Sequence, residues 1–261
     1  MESKTNTIQL AHGGGGRLSR ELIEKEILSR FGDGPLKSLP DAALLPSIKG
    51  KLVFTTDSFV VQPLEFPGGN IGDLAVHGTI NDLAVSGAKP LWLSLAMILE
   101  EGLSFDVLCR VLDSVKKAAD NCGVKIVTGD TKVVSKGQCD GMFLNTAGVG
   151  ELISGFSLSP DHIVVGDQVL VSGPLGDHGM AVMSRREGIN IQNGPVSDSA
   201  PVHRLVAALE DLASQVRFMR DPTRGGLATV LNEIVEKRKI GIELIEEKLP
   251  FAPMTEKTNG K

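Results

Sequence analysis

The sequence predicts a mixed α/β (α+β) protein with two domains. Apolar segments of strand length alternate with segments of helical spacing up to about residue 150, in the order β-α-β-α-β-β. A chain of 261 residues is long for one domain and suits two. A similar succession of elements begins again after residues 154–160. We therefore expect a first domain over residues 1–155 and a second over residues 156–261.

The first domain is predicted to begin with a helix, a strand and a second helix. Residues 18–31 carry apolar side chains on one side of a helix. Residues 52–56 have the composition of a strand, which is expected to end at Asp57. Residues 71–86 repeat small residues at helical spacing. Asp82 is therefore expected on a helix face that a ligand or another backbone can approach closely.

Three strands and one helix complete the predicted first domain. They are expected at residues 91–99 (strand), 105–121 (helix), 124–128 (strand) and 142–149 (strand). Gly123 is expected to end the helix, and the strand after it leads to Asp130.

The second domain is predicted to start with a strand at residues 168–172, followed by the glycine-rich segment 173–179 and a helix. Further helices are expected at residues 202–212 and 227–235, with a strand at residues 240–245. Two of these helices follow glycine-rich segments, which are potential anion sites, and Thr223 is able to cap the later one. The pattern then stops, so we expect an incomplete second domain.

Composition argues against several classes of function. The net charge is -5, no concentrated basic patch is evident, and aromatic residues make up 4% with no Tyr, so nucleic-acid binding is not expected. The three cysteines are odd in number and lack C-x-x-C spacing, which favours reduced thiols and a cytoplasmic protein. No apolar run is long enough to span a bilayer, so no membrane association is expected.

Three aspartates are candidates for a metal-binding site. Asp57, Asp82 and Asp130 each follow an apolar run and lie beside small or hydroxyl residues, with Asn81 and Lys132 nearby. Several oxygen ligands together with a lysine suit a magnesium ion and the phosphates that it carries. The sequence therefore predicts a metal–nucleotide site assembled by folding and not by one contiguous motif.

These residues also have plainer explanations. Asp57 is equally consistent with a simple turn, and an isolated helical acid such as Asp82 usually faces solvent. The four glycines after His12 form either a floppy loop or a lid over phosphates; no Walker-type Gly-Lys-Ser/Thr follows them. His178 beside Asp177 is either an acid/base pair or part of a helix N-terminus.

Six motifs occur in order and together resemble one family. They are LAHGGGG (10–16), TTDSFVV (55–61), FPGGNIG (66–72), NDLA (81–84), GDTKVV (129–134) and DPTRGG (221–226). They closely resemble HypE-type hydrogenase maturation proteins, which are carbamoyl dehydratases. The same superfamily includes aminoimidazole ribonucleotide synthetase, selenophosphate synthetase and thiamin-phosphate kinase. The resemblance extends over residues 8–254.

The resemblance implies a two-domain aminoimidazole ribonucleotide synthetase-like architecture. The first domain would bind ATP and form a homodimer through its sheet, as a barrel across two subunits, with ATP and Mg²⁺ in the cleft between the domains. ATP would activate a thiocarboxamide on a C-terminal cysteine, and loss of the activated oxygen would leave a thiocyanate that supplies cyanide ligands to the iron of [NiFe] hydrogenase. The expected partners are a carbamoyltransferase and an iron-cyanide scaffold protein.

The resemblance also implies roles for individual residues. Asp57, Asp82 and Asp130 would hold magnesium, and Lys132 would hold the phosphates; Asp82 and Lys132 are the expected catalytic residues. The other implied nucleotide contacts are Gly13, Gly14, Gly15, Gly16, Asn81, Thr223, Arg224 and Gly225.

One departure from the family concerns the C-terminus. The family continues to a tail that carries a functional glutamate and the acceptor cysteine, whereas this sequence stops at Lys261 and its cysteines are Cys109, Cys122 and Cys139. We therefore expect ATP binding without carbamoylation of this chain. A non-enzymatic, truncated nucleotide-binding paralogue and a small-molecule kinase or synthetase of the same superfamily are the alternatives.

Overall fold

The computed structural model describes residues 6–189, 191, 194–223, 225–236 and 238–252. The chain begins with a short 3-10 turn, Leu10–Gly13, followed by α1 (Arg17–Leu22), a π-helical stretch (Ile23–Ile27) and α2 (Leu28–Phe31). These three segments run on without a break, which confirms the helix predicted at residues 18–31.

A four-stranded sheet forms the centre of the first domain. The strands in chain order are β1 (Leu52–Phe59), β2 (Glu65–Phe66), β3 (Gly69–Asn70), β4 (Ala88–Glu100), β5 (Lys125–Val134) and β6 (Met142–Leu152). The main sheet has the order β1-β6-β4-β5, while β2 and β3 make a separate small hairpin. Strand β6 is antiparallel to both β1 and β4, and β4 is parallel to β5. Strands β1 and β5 are therefore the two edges of the sheet.

Two helices cover one face of this sheet. Helix α3 (Ile71–Val85) begins at Asn70, whose side chain accepts a hydrogen bond from the Gly72 N–H, and α4 (Phe105–Cys122) is capped in the same way by Ser104. Gly123 ends α4 with a φ of 69°, in the left-handed region that glycine adopts easily. Both helices are where the sequence predicted them. Their buried side chains form the main core together with the sheet.

The opposite face of the sheet is covered by no element of the described chain. Alternate residues of β1 point away from the helices, and Leu52 and Phe54 are 63% and 67% exposed. On β4, Ile98 is 41% exposed on the same side. A broad, partly apolar sheet face thus lies open.

The second domain is built from helices and irregular segments. Its helices are α5 (Asp177–Arg186), α6 (His203–Ala207) and α7 (Gly226–Glu236), and Glu210–Gln215 forms a 3-10 helix after α6. The strands predicted at residues 168–172 and 240–245 are wrong, because both segments are irregular in the structure. A strand is stable only when a neighbouring strand pairs with it, and within the described residues neither segment has a pairing strand. Their apolar side chains are accordingly exposed, for example Leu170 and Leu244.

None of the helices in the described part of the chain combines the length and apolarity that a bilayer span requires.

Candidate functional site

Asp82 is held against the first strand of the sheet. The Thr55 Oγ1 on β1 donates a hydrogen bond of 3.0 Å to the Asp82 Oδ2 on α3. One helical turn earlier, Gly78 leaves room for β1: a Cβ there would stand 2.8 Å from the Phe59 ring and 3.9 Å from Asp57 Oδ2. The small-residue face predicted from the sequence therefore allows the carboxylates of Asp57 and Asp82 to lie on the same side of the sheet.

Burial and the neighbouring carboxylates oppose the ionisation of Asp82. Burial is the largest cause that raises its pKa, and the negative charges of Asp221 and Asp57 raise the pKa further. The hydrogen bond from Thr55 and the charge of Arg220 lower it, without reversing the shift. A cation bound among these carboxylates would relieve the repulsion between them. The donor set therefore fits a magnesium ion, which needs only one or two carboxylates together with phosphate oxygens.

Asp221 adds to the negative charge around Asp82, and it was not among the site residues predicted from the sequence. It comes from the second domain, and its charge acts on Asp82 of the first. The signal was present in the motif Asp221-Pro222-Thr223, directly ahead of a glycine-rich helix start. The site therefore lies where the two domains meet.

Asp130 lies far from the other two predicted metal ligands in a single chain. Asp57 is paired with Thr146 on β6, Thr146 with Leu95 on β4, and Leu95 with Gly129 on β5. Three strand spacings separate the two edges, which is roughly 14 Å. Because side chains alternate along a strand, Asp130 also points to the open face while Asp57 points to the helices. Within the described residues of one chain, Asp130 is therefore not brought together with Asp57 and Asp82.

Both aspartates also lie inside strands, whereas the sequence placed them where strands end. Strand β1 continues beyond Asp57 to Phe59, and β5 continues beyond Asp130 to Val134. Within the described residues no group of three or more His, Cys, Asp or Glu side chains could hold a metal ion. The assignment of Asp57, Asp82 and Asp130 as ligands stays a prediction.

Asp130 and Lys132 form their own group at the β5 edge. The Lys132 Nζ lies 3.3 Å from both oxygens of the Asp130 carboxylate, and both side chains are well exposed. The Thr131 N–H donates a hydrogen bond of 2.9 Å to Asp130 Oδ1. An exposed ion pair of this kind adds little stability, so its charges are available to a ligand.

The glycine loop Gly13–Gly16 lies next to the same edge. Gly13 packs so closely on β5 that a Cβ there would come within 2.7 Å of the Val133 nitrogen. The Gly15 N–H donates to the Ser19 hydroxyl, which in turn donates to the Ala11 carbonyl. The loop is therefore tied to α1 and to β5, beside Lys132.

His12 supports this loop. Its Nδ1 accepts a hydrogen bond of 2.9 Å from the Gln9 N–H, and its ring packs edge-on against Phe105, with 5.3 Å between the ring centroids. These contacts favour a role for His12 in anchoring the start of the glycine loop. They do not decide between a floppy loop and a lid over phosphates.

Asn81 contacts the second domain in this structure. Its Nδ2 donates to the Ala200 carbonyl at 3.0 Å, and its Oδ1 accepts from the Val202 N–H at 2.8 Å. The predicted contact between Asn81 and the nucleotide stays a prediction. In this structure both polar groups of the amide bind the backbone of the second domain.

The two glycine-rich helix starts of the second domain differ. At α5 the His178 N–H already donates to the Asp198 carboxylate at 3.1 Å, so this chain supplies its own anion there. The His178 ring lies 2.9 Å from the Ser197 hydroxyl, which favours the helix-terminus explanation over an acid/base pair with Asp177.

At the start of α7, Gly225 has a φ of 72° and the Thr223 carbonyl accepts from the Gly226 N–H. The predicted roles of Thr223 and Gly225 remain predictions, and Arg224 lies outside the described residues.

Comparison with known proteins identifies the family. Residues 40–152 match the AIR synthase related protein N-terminal domain, and residues 164–258 match the corresponding C-terminal domain. The carbamoyl dehydratase HypE of Bradyrhizobium diazoefficiens is 47% identical over 97% of this chain and 73% of its own length. The chain belongs to the HypE family of carbamoyl dehydratases.

Solved HypE structures agree with this assignment. The crystal structure of the hydrogenase maturation protein HypE in complex with ATP has a TM-score of 0.92 and 46% identity over 96% of this chain and 75% of that chain. HypE of Azotobacter vinelandii is 43% identical over 96% of this chain and 73% of its own length. Thiamine monophosphate kinase from Aquifex aeolicus, at 19% identity and a TM-score of 0.62, shares the fold alone.

Proposed function

We propose that this chain acts in hydrogenase maturation as the ATP-binding part of a carbamoyl dehydratase. In the reaction that the family resemblance implies, ATP activates the oxygen of a cysteine thiocarboxamide, and loss of that oxygen leaves a thiocyanate. The observation that carries the proposal is the 47% identity to a HypE carbamoyl dehydratase over 97% of the chain. The small-molecule kinase alternative rests on 19% identity to a thiamine monophosphate kinase, which is evidence for the fold only.

ATP is proposed to bind where α3 meets β1 and the second domain. Three features support this location: the Thr55-oriented carboxylate of Asp82, the neighbouring charges of Asp57 and Asp221, and the raised pKa of Asp82. A magnesium ion bound there would neutralise phosphate charge during phosphoryl transfer. The residues of this chain would hold the ion and orient the phosphates.

A homodimer is proposed to complete this site. Strands β1 and β5 are opposite edges of one sheet, and the sheet face between them is open and partly apolar. An apolar sheet face needs cover, and a second copy of the same face is the simplest cover. Joining two sheets edge to edge into the barrel that the resemblance implies would place the β5 edge of one copy, which carries Asp130 and Lys132, beside the β1 edge of the other, which carries Asp57 and packs against Asp82. The separation of Asp130 within one chain supports this arrangement.

Binding partners and a cellular location are also proposed for this chain. A crystal structure of a HypE-HypF complex includes a chain 47% identical to this one, with a TM-score of 0.78. We propose that this chain likewise binds a carbamoyltransferase of the HypF type, and also an iron-cyanide scaffold protein. A cytoplasmic location is proposed because Cys109, Cys122 and Cys139 are all free thiols.

Titration calorimetry of the purified chain with ATP, in magnesium and then in excess chelator, tests the proposed function. We expect saturable binding that requires magnesium. The control is the Asp140→Asn variant, which removes an acid on the β5–β6 turn, away from the proposed site, and should bind normally. A chain that binds no ATP, or binds it equally well without magnesium, would refute the proposal.

A further inference from the structure

We propose that Asn81 is a positioning residue that clamps the second domain to α3 and thereby holds Asp221 beside Asp82. The inference rests on the proposed function, because it assigns a task at the same site. It differs from a nucleotide-binding role for Asn81, which the sequence motif suggested.

The first step of the argument is the contact itself. The Asn81 amide uses its donor on the Ala200 carbonyl and its acceptor on the Val202 N–H. These two backbone groups flank Pro201, which has no N–H, in a segment without regular secondary structure. Asn81 therefore satisfies backbone groups that have no helix or strand partner there. One turn earlier on the same helix face, His77 lies 3.1 Å from the Ser199 hydroxyl.

The second step is the geometry of α3. Successive residues of a helix diverge by about 100°. Asn81 therefore faces the second domain while Asp82 faces β1 and its Thr55 hydroxyl. Asn81 and Asp82 are adjacent on the same helix turn. A shift of the second-domain segment that Asn81 binds would therefore change which second-domain groups lie near Asp82.

The third step connects the clamped segment to Asp221. Val202 packs on a small apolar cluster of Ala84, Phe156, Val206 and Ala213. Val216 and Met219 pack on the same cluster, immediately before Arg220 and Asp221. Ala84 belongs to α3 itself, so this cluster joins the segment that leads to Asp221 to the helix that carries Asp82. The clamp and the cluster together form a set of contacts from Asn81 to Met219, two residues before Asp221.

The fourth step explains why an amide is required. A carboxylate accepts hydrogen bonds but cannot donate to the Ala200 carbonyl, and an apolar side chain can do neither. Leu has the same branching and the same number of side-chain heavy atoms as Asn but has no polar atoms. Asn81→Leu therefore removes the clamp while keeping the packing.

The test compares Asn81→Leu with the wild-type chain and with Asn232→Leu. Asn232 lies on α7, and its side-chain amide donates to the Ala228 carbonyl of its own helix, so it is the matched control. Without nucleotide, we expect faster amide exchange at residues 199–207 and 216–221 in Asn81→Leu alone. The loss of two hydrogen bonds should also raise the Kd for Mg-ATP about tenfold.

Each outcome decides the proposal. Unchanged exchange in the nucleotide-free Asn81→Leu variant with weakened ATP binding would overturn it and assign Asn81 to the nucleotide. Faster exchange with unchanged ATP affinity would also overturn it, because the clamp would then position nothing. If Asn81→Leu does not fold, Asn81→Gln, which keeps both polar groups on a longer stem, should show the same changes to a smaller degree. A wild-type chain that binds no Mg-ATP refutes the proposed function. In that case, faster amide exchange at residues 216–221 in Asn81→Leu still supports the clamp, and unchanged exchange there refutes it.

Discussion

The hydrogen bond from Thr55 to Asp82 provides a sharp test of the proposed site, through the substitution Thr55→Val. Valine has nearly the same shape as threonine and removes only the hydroxyl that donates 3.0 Å to Asp82 Oδ2. A hydrogen bond to a buried charged group is worth about 1.5–3 kcal/mol. Because Asp82 is only about half buried, we discount this to about 1 kcal/mol, or about a fivefold rise in the Kd for Mg-ATP.

The effect should depend on pH. The Thr55 hydroxyl lowers the pKa of Asp82 against burial and the charges of Asp221 and Asp57, so its removal raises that pKa further. A proton on Asp82 competes with a metal ion. The loss of affinity should therefore be larger at about pH 5.5 than at about pH 8, where the carboxylate is ionised in both proteins.

The adjacent threonine is the matched control. Thr56 points to the open face of the sheet, where its hydroxyl donates to the Thr146 carbonyl at 3.3 Å and not to Asp82. Calorimetry of Thr55→Val, Thr56→Val and wild type at both pH values compares them directly. Equal losses in the two variants, or a loss in Thr55→Val that does not grow towards acid pH, would refute the reasoning.

Three further predictions follow from the structure. The pKa of Asp82 is raised by folding, so its ionised form destabilises the folded protein above the pKa that it has in the unfolded chain. Asp82→Asn should therefore raise the melting temperature at neutral pH, by a gain that shrinks towards about pH 4, and should abolish Mg-ATP binding. A lower melting temperature at neutral pH would contradict this. Gly13→Ala brings a Cβ within 2.7 Å of the Val133 nitrogen and should speed amide exchange in the glycine loop, whereas Gly16→Ala, with no atom within 4 Å, should not. Phe54→Glu places a charge on the open sheet face and should convert a dimer into monomers in light scattering, and a dimer that persists would argue against this face as the interface.

The local parts of the fold were predictable from the sequence because their signals are local. Helix α4 was predicted at residues 105–121 with Gly123 at its end, and the structure confirms both. The strand predicted at residues 168–172 failed because its apolar composition says nothing about a pairing neighbour.

The candidate site was only partly predictable. The acids were recognisable by residue type, but their grouping depends on strand order. That order places β1 and β5 at opposite edges, so Asp130 is separated from Asp57. The charge of Asp221 acts on Asp82 from a different domain, across more than a hundred residues of sequence, and no spacing rule predicts such an interaction.

Complementation between two inactive variants tests the central claim, that two copies share each Mg-ATP site. Asp82→Asn and Asp130→Asn chains are each expected to lose Mg-ATP binding alone. When they are mixed and allowed to exchange subunits, every mixed dimer should contain one intact site, made of Asp82 from one chain and Asp130 from the other. With half of the dimers mixed, calorimetry should recover about a quarter of the wild-type sites at wild-type affinity. A mixture that binds no Mg-ATP, although light scattering shows that dimers form and exchange, would contradict the shared site.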